Sequence, residues 1–329
     1  MPPTTSEHAL VRGDLTLRPA VLDDANLAAD LLTARLPDEP MDPRIKRHWW
    51  ASGDPDWTVE RFIVLKGRGA VGFAWHLHAP WDKMPERYAR VSATFSPVHE
   101  TPENLSAVFD MMEDRARRDG ARVFTVFVRE DLEEKIATLL ARGYRKDRYA
   151  RAWELDLVAG RARLLRMREA SRARMREQGI TIGTMRDDHD ADRYRKLHEM
   201  SEEAAQDVPR TVPHVREPLD QFMKWFASPG IREERMWIAR LRDDVVGVSA
   251  LSYPPVRGNV WTDWTATARA VRSRGIARAL KLETIGQAID LDIPTVRTDN
   301  DSENAPILHL NAELGYTSIP GRLQLVKDA

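Results

Sequence analysis

The chain has 329 residues, 42% hydrophobic and 31% charged, with a formal net charge of −1, which suits two soluble cores and gives no overall field favouring nucleic acid or an anionic membrane. Cysteine is absent and the nine histidines form no ligand array, which excludes disulfides, thiolate zinc sites and an acyl-cysteine mechanism, and leaves a metal site without support. No apolar run approaches the ~18 residues of a membrane span, and Met1 to His8 lacks the basic start and apolar stretch of a signal peptide, so a cytoplasmic location is expected.

In chain order, Leu15–Pro19 reads as a short strand and residues 23–36 as a helix. Residues 62–65 and 70–76 form a hairpin pattern, and 88–95 alternate like a strand. Residues 104–118 are helical, 122–128 a strand, and 132–141 a helix closed by Gly143-Tyr144. Residues 161–177 form a helical pattern with arginine at 161, 163, 166, 168, 172, 174 and 176. A basic helix can bind a polyanion. With a neutral whole and no aromatic interleaving, the favoured reading is a connecting helix whose arginines reach solvent or nearby carboxylates.

The order then repeats through residues 180–184, 191–205, 236–241, 245–253, 260–267, 275–291, 295–298 and 304–314, closed by Gly315-Tyr316. The two Gly-Tyr closures, at 144 and 316, stand 172 residues apart, and the same offset carries Gly275 onto Glu103, also at a helix start. A duplication is expected. The expected domains are 1–158, a connecting basic helix over 159–178, and 179–329. Heavy use of arginine hints at a GC-rich bacterial source.

The stretch Thr265 to Arg278 carries the chemistry: a strand ends near Thr267, a turn follows, and a helix begins near Gly275. Backbone N–H groups at a helix start lack intrahelical partners and, with the helix dipole, suit phosphate oxygens. Gly275 and Ala277 are expected to let a pyrophosphate approach closely, with Arg272, Arg274 and Arg278 adding positive charge. A plain helix start with solvated arginines fits the string as well.

Here the chain resembles the GNAT superfamily of acetyltransferases, whose pyrophosphate loop has the pattern Q/R-x-x-G-x-G/A between a strand and a helix. The likeness continues through Thr298-Asp299-Asn300-Asp301-Ser302-Glu303-Asn304 to Gly315-Tyr316. The whole chain resembles a tandem GNAT protein, a layout similar to that of mycothiol synthase, with no motif that singles out that enzyme. The resemblance implies an α+β fold of two tandem units, each a mixed, mostly antiparallel twisted sheet flanked by helices. It implies acetyl-CoA as co-substrate, no metal, and transfer of acetyl to the amine of a small molecule or peptide by direct attack in a ternary complex. A non-catalytic acyl-CoA sensor on the same folds is the alternative. No nucleic-acid or membrane partner is expected.

By the same resemblance, Thr265, Ala266 and Thr267 pair with the pantetheine arm, and the Thr267 N–H polarises the thioester carbonyl. Arg272, Ser273, Arg274, Gly275, Ile276, Ala277 and Arg278 hold the pyrophosphate, and Asn304 contacts the coenzyme or serves as an N-cap. Strand alternation places Trp261, Asp263, Thr265 and Thr267 on one face, with Asp263 the carboxylate among them. Three roles are open to it: base, ligand for a cationic substrate, or structural group. Trp261 stands where many relatives have a glutamate, and Asn311 where a tyrosine acid is usual; His309 and Tyr253 are candidate substitutes. Glu202, Glu203 and Asp207 read as a solvated helix end. In the first half, Glu100, Pro102 and Glu103 occupy the place of the phosphate turn, so one coenzyme per chain is expected.

Overall fold

The computed structural model describes residues 10–329; the N-terminal stretch read for a signal peptide lies outside them. The elements are β1 (Leu10–Arg12), β2 (Leu15–Pro19), α1 (Ala25–Arg35), α2 (Pro43–Ala51), β3 (Thr58–Lys66), β4 (Gly69–His78), β5 (Tyr88–Phe95), α3 (Pro102–Arg118), β6 (Val123–Arg129), α4 (Glu133–Ala141) and β7 (Arg145–Asp156). There follow α5 (Leu157–Glu177), β8 (Ile180–Thr184), α6 (Arg193–Ala205), α7 (Leu219–Phe226), β9 (Met236–Leu241), β10 (Asp244–Ser252), β11 (Trp261–Thr267), α8 (Ile276–Asp290), β12 (Thr295–Asp301), α9 (Ala305–Leu314) and β13 (Thr317–Asp328).

The duplicated order is evident in these bounds. β6 and β12 start at 123 and 295, and β7 and β13 at 145 and 317, so both pairs are 172 residues apart. Two compact units result, 1–147 with 323–329, and 148–322. The second unit begins at Arg148, ahead of the boundary expected at 158. Strand β7 from Arg148 onward belongs to the second unit, where it runs antiparallel to β12 with Leu155 opposite Val296. Both are fully buried beside Leu282 and Ile285, so apolar burial sets the allegiance of this strand.

In the first unit, β1 to β6 lie side by side in sequence order, followed by the end of β13. In the second, β7 is followed by β12, β11, β10, β9 and β8. The strand pairs β1–β2, β2–β3, β3–β4, β4–β5, β7–β12, β8–β9, β9–β10 and β10–β11 are antiparallel, and β5–β6 and β11–β12 are parallel. The mixed, mostly antiparallel expectation holds.

Several arginines of helix α5 make contacts within the second unit. Arg168 and Arg172 hold the buried Glu283 of α8 at 2.7 and 2.6 Å, while Arg163 donates to the Leu314 carbonyl at the end of α9 at 2.6 Å. A cation at a helix C-terminus satisfies a carbonyl that has no intrahelical donor. Among the described residues, no helix is long and apolar enough to cross a membrane.

Candidate active site

Strands β11 and β12 part almost as soon as they meet. Trp261 pairs with Arg297, whose N–H donates to the Val260 carbonyl at 2.8 Å, and no later pair joins them among the described residues. The gap is a cleft of about 790 Å³, lined by Thr262 to Thr267 on one side and Thr298 to Asp301 on the other. On its far side β11 pairs with β10, and the Ala268 N–H donates to the Val246 carbonyl at 3.0 Å. In an antiparallel pair, residues alternate between bonding the partner strand and facing away. Counting back from Ala268, the N–H and C=O groups of Thr265 and Thr267 face the cleft. A ligand can therefore pair with β11 as a further strand would.

The register of β11 shifts at Asp263, which has no partner on β10: Trp264 pairs with Ala250, and Thr262 with Leu251. This bulge overturns the expected single face. Thr262, Thr265 and Thr267 share the α8 side, where Ser249 and Thr265 join hydroxyls at 2.9 Å. Trp264 and Ala266 pack toward α6 and α7 with Met200 and Phe222, and Asp263 turns the same way, accepting a short hydrogen bond from the Trp225 indole of α7. Bulges re-aim side chains in this manner. Asp263 keeps solvent access at the cleft yet is ringed by protein, and this desolvation raises its carboxyl above the usual range against the lowering pull of Trp225. Thr267 lies about 13 Å from Asp263 along the strand at ~3.3 Å per residue, too far for both to serve one carbonyl. Thr265 is at about half that distance.

At the other end of the edge, Ser273 and Gly275 both adopt left-handed backbone, with φ of 63° and 86°. Successive turns of this kind direct N–H groups into a concavity that suits an anion, and Gly275 is the N-cap of α8. The reason for glycine differs from the one expected. A Cβ on Gly275 would meet Arg174 and Met175 of α5 at 3.8 Å, in ordinary contact. The requirement comes from φ. Of the loop side chains, Arg272, Ser273 and Ala277 line the cleft. Arg274 is turned to Gln178 at 3.0 Å, Arg278 to Glu313 at 2.6 Å, and Ile276 is buried against Met175 and Leu280. These three, with Gly275, offer a ligand their backbone alone.

Of the three acidic residues at the end of α6, Glu202 departs from the expected solvated end, while Asp207 is exposed as expected. Glu202 is 7% exposed, lies 2.9 Å from His214 and accepts the Glu217 N–H. Glu203 accepts the Arg269 N–H at 2.9 Å, and Asp207 pairs with both Arg269 and Arg272 at 2.7 Å. Those guanidiniums hold the Asp207 carboxyl down to about 2. Asn304 occupies the N-cap place of α9 but makes no capping bond, and its residue lines the cleft. Asn311 is fully buried and donates to Asn300 at 2.7 Å. His309 is exposed, and neither it nor Tyr253 lines the cleft.

Among the lining residues that the sequence did not single out, Lys281 is the cation. Lys281 is 2% exposed, sits on α8 one turn beyond Ala277, and holds its ammonium 5.1 Å from the centre of the Tyr316 ring. The available signal was a lysine on the same helix face as Ala277, Ile285 and Ala288, which are all apolar.

The first unit occupies the same edge with its own side chains. The offset of 172 carries Thr265 and Thr267 onto Ala93 and Phe95. Lys135 donates to the Ala93 carbonyl at 2.5 Å, and the Phe95 N–H donates to Glu100 at 3.4 Å. Glu100 is itself buried against Arg35 at 2.6 Å. Pro102 opens α3, and the Thr101 hydroxyl caps it, so a helix start that could meet a phosphate is already satisfied.

No family model and no curated protein matches the sequence. Solved structures do. A tandem GNAT protein from the clavulanic acid biosynthesis pathway matches at TM-score 0.72 and 16% identity, over 95% of this chain and 98% of its own. A GCN5-related N-acetyltransferase from Sphaerobacter thermophilus matches at 0.66 and 18%, over 97% of each chain. A glucosamine N-acetyltransferase region of a fungal multi-domain β-N-acetylglucosaminidase matches at 0.67 and 13%, over 98% of this chain and 39% of that one. At such identities the likeness concerns architecture, and it agrees with the repeated element order and the parted strands: the chain has the tandem GNAT fold.

Proposed function

We propose that the second unit is an acetyl-CoA-dependent N-acetyltransferase, acting on the amine of a small molecule or peptide by direct attack in a ternary complex. The observation that carries this reading is one continuous cleft in which an open strand edge leads to a left-handed loop and a helix start. That order of groups suits a ligand with amides at one end and phosphates at the other.

Bound acetyl-CoA supplies an activated thioester carbonyl. Thr267 and Thr265 pair with the arm along β11, and the loop N–H groups from Ser273 to Arg278 hold the phosphates, with Arg272 beside them. Charge developing on the carbonyl oxygen is met by a fixed backbone N–H. Its distance from Asp263 gives this role to Thr265 rather than Thr267. An alkyl amine near pKa ~10 must lose a proton to attack. Asp263, with its raised carboxyl and its place toward α7, accepts that proton directly or through water. With Ala93 and Phe95 already occupied, the first unit leaves one coenzyme to each chain.

Incubation with acetyl-CoA and a panel of amines, followed by released thiol, tests the reading. Amine-dependent release is expected. Tight coenzyme binding without release for any amine would overturn it in favour of an acyl-CoA sensor.

A further inference from the structure

We propose that Lys281 donates the proton to the sulfur that leaves the coenzyme thioester, so that α8 carries the general acid of the cleft. The inference rests on the acyl-transfer reading of that cleft. Its starting point is a cost without a visible return. A buried ammonium is expensive unless paired, and among the described residues Lys281 has neither a carboxylate nor a hydrogen-bond partner. Its one marked contact is the face of the Tyr316 ring, which offsets part of the desolvation. A leucine would fill the same helix position at no such cost.

The place of Lys281 suggests the return. It lies about 9 Å along α8 from Gly275 at ~1.5 Å per residue, so it reaches the cleft well beyond the phosphate loop. Of the cleft-lining residues, Arg272 and Lys281 are the cations. Arg272 is held by Asp207 near the loop, and a guanidinium does not give up its proton near neutral pH. Asn311 can hydrogen-bond but cannot protonate. Burial makes Tyr316 a weaker acid by raising its hydroxyl, and Tyr316 does not line the cleft. Of the carboxylates that line the cleft, Asp207 is held by Arg269 and Arg272, Asp263 accepts from Trp225, and Asp301 and Glu303 are engaged by Arg148; Asp299 is exposed on β12. Burial lowers the Lys281 ammonium to about 7, below the ~8.5 of a free thiol, so transfer to a nascent thiolate runs downhill.

The step balances. The amine electron pair forms the C–N bond, and the C–S pair departs with sulfur. The ammonium of Lys281 gives its proton to that sulfur, leaving a free thiol and a neutral lysine. The proton shed by the attacking amine goes to Asp263 or water, and Lys281 is recharged from solvent once the thiol leaves.

The test compares Lys281→Met and Lys281→Arg with the unaltered full-length chain, using acetyl-CoA and the best amine of the panel. Methionine fits a buried site and is expected to fold. Its kcat should fall ~100-fold or more, the usual worth of a general acid, while coenzyme affinity by calorimetry stays within the same order of magnitude. The unaltered chain should lose rate as pH rises through about 7, and this alkaline limb should vanish in Lys281→Met. Arginine keeps the charge without a transferable proton and should be as slow as methionine. Wild-type kcat in Lys281→Met, or recovery by arginine, would overturn the assignment, the latter in favour of a purely electrostatic role. An acetyl adduct on Lys281 that is chased by amine would overturn it in favour of a covalent carrier. Failure of the unaltered chain to release thiol would instead bring down the acyl-transfer reading itself, and is seen before any variant is made.

Discussion

Replacing Gly275 with alanine separates two explanations for the glycine at the start of α8. At φ 86° an L-residue is strained, and the left-handed region costs about 1–2 kcal/mol. The new methyl would meet Arg174 and Met175 at 3.8 Å, an ordinary distance, so no packing penalty adds to this. For the second unit, residues 148–322, 1 kcal/mol shifts the melting temperature by roughly 2–4 °C. Gly275→Ala should therefore melt about 2–8 °C lower. Coenzyme affinity should fall by no more than the same free energy, a factor of roughly 5–30, because the methyl points toward α5. Differential scanning calorimetry and titration with coenzyme A measure the two effects separately. Unchanged melting with abolished binding would refute the reasoning, since the methyl would then have to occupy ligand space. By the same geometry a glutamate at 275 extends beside Arg174, so electrostatic exclusion of phosphate is not the expected cause of any loss in that variant.

Asp263→Asn should lower turnover by ~100-fold or more without weakening coenzyme binding, and should abolish the fall in rate at acid pH, since a base works only when ionised. Trp225→Phe removes the N–H that holds the Asp263 carboxylate and should move that acid limb to higher pH; a pH–rate profile unmoved by either change would reduce Asp263 to a structural role. Asp207→Asn frees Arg272 from its ion pair and should tighten coenzyme A binding roughly two- to fivefold at low salt, an advantage that fades as salt is raised. Equal or weaker binding would mean that Asp207 positions Arg272 for the ligand. Calorimetric titration of the intact protein should give a stoichiometry near one; a value near two would show that Lys135 and Glu100 yield their places on the first unit's strand edge.

Much of the fold was legible because it is written in short-range patterns. Alternation over residues 88–95 and 180–184 and helical spacing over 104–118 depend on near neighbours, and each element formed where expected. The duplication was legible because closely matched elements recur at one offset. The turn between β11 and α8 was legible as a place, since a strand, a glycine and a helix start follow one another in the chain. The roles of its side chains were not. Arg274 and Arg278 turn to Gln178 and Glu313, partners 96 and 35 residues away, and nothing local to 272–278 announces them.

The sequence by itself determined most of the elements (though not α2 or α7), their repeated order, and where a helix start follows a strand. Tertiary structure decided the rest, because each remaining feature depends on which distant segment becomes a neighbour. The bulge at Asp263 exists only in the register between β11 and β10, and it moved that carboxylate from the face of Thr265 to the side of Trp225. Strand β7 joined the second unit because Leu155 finds its burial beside Val296. Lys135 and Glu100 occupy the first unit's edge by packing against residues 42 and 5 positions away. Lys281 is an ordinary helix former in the sequence. It becomes chemically distinctive only when the fold places it on the cleft wall beside Tyr316 and takes away most of the water that would hold its charge.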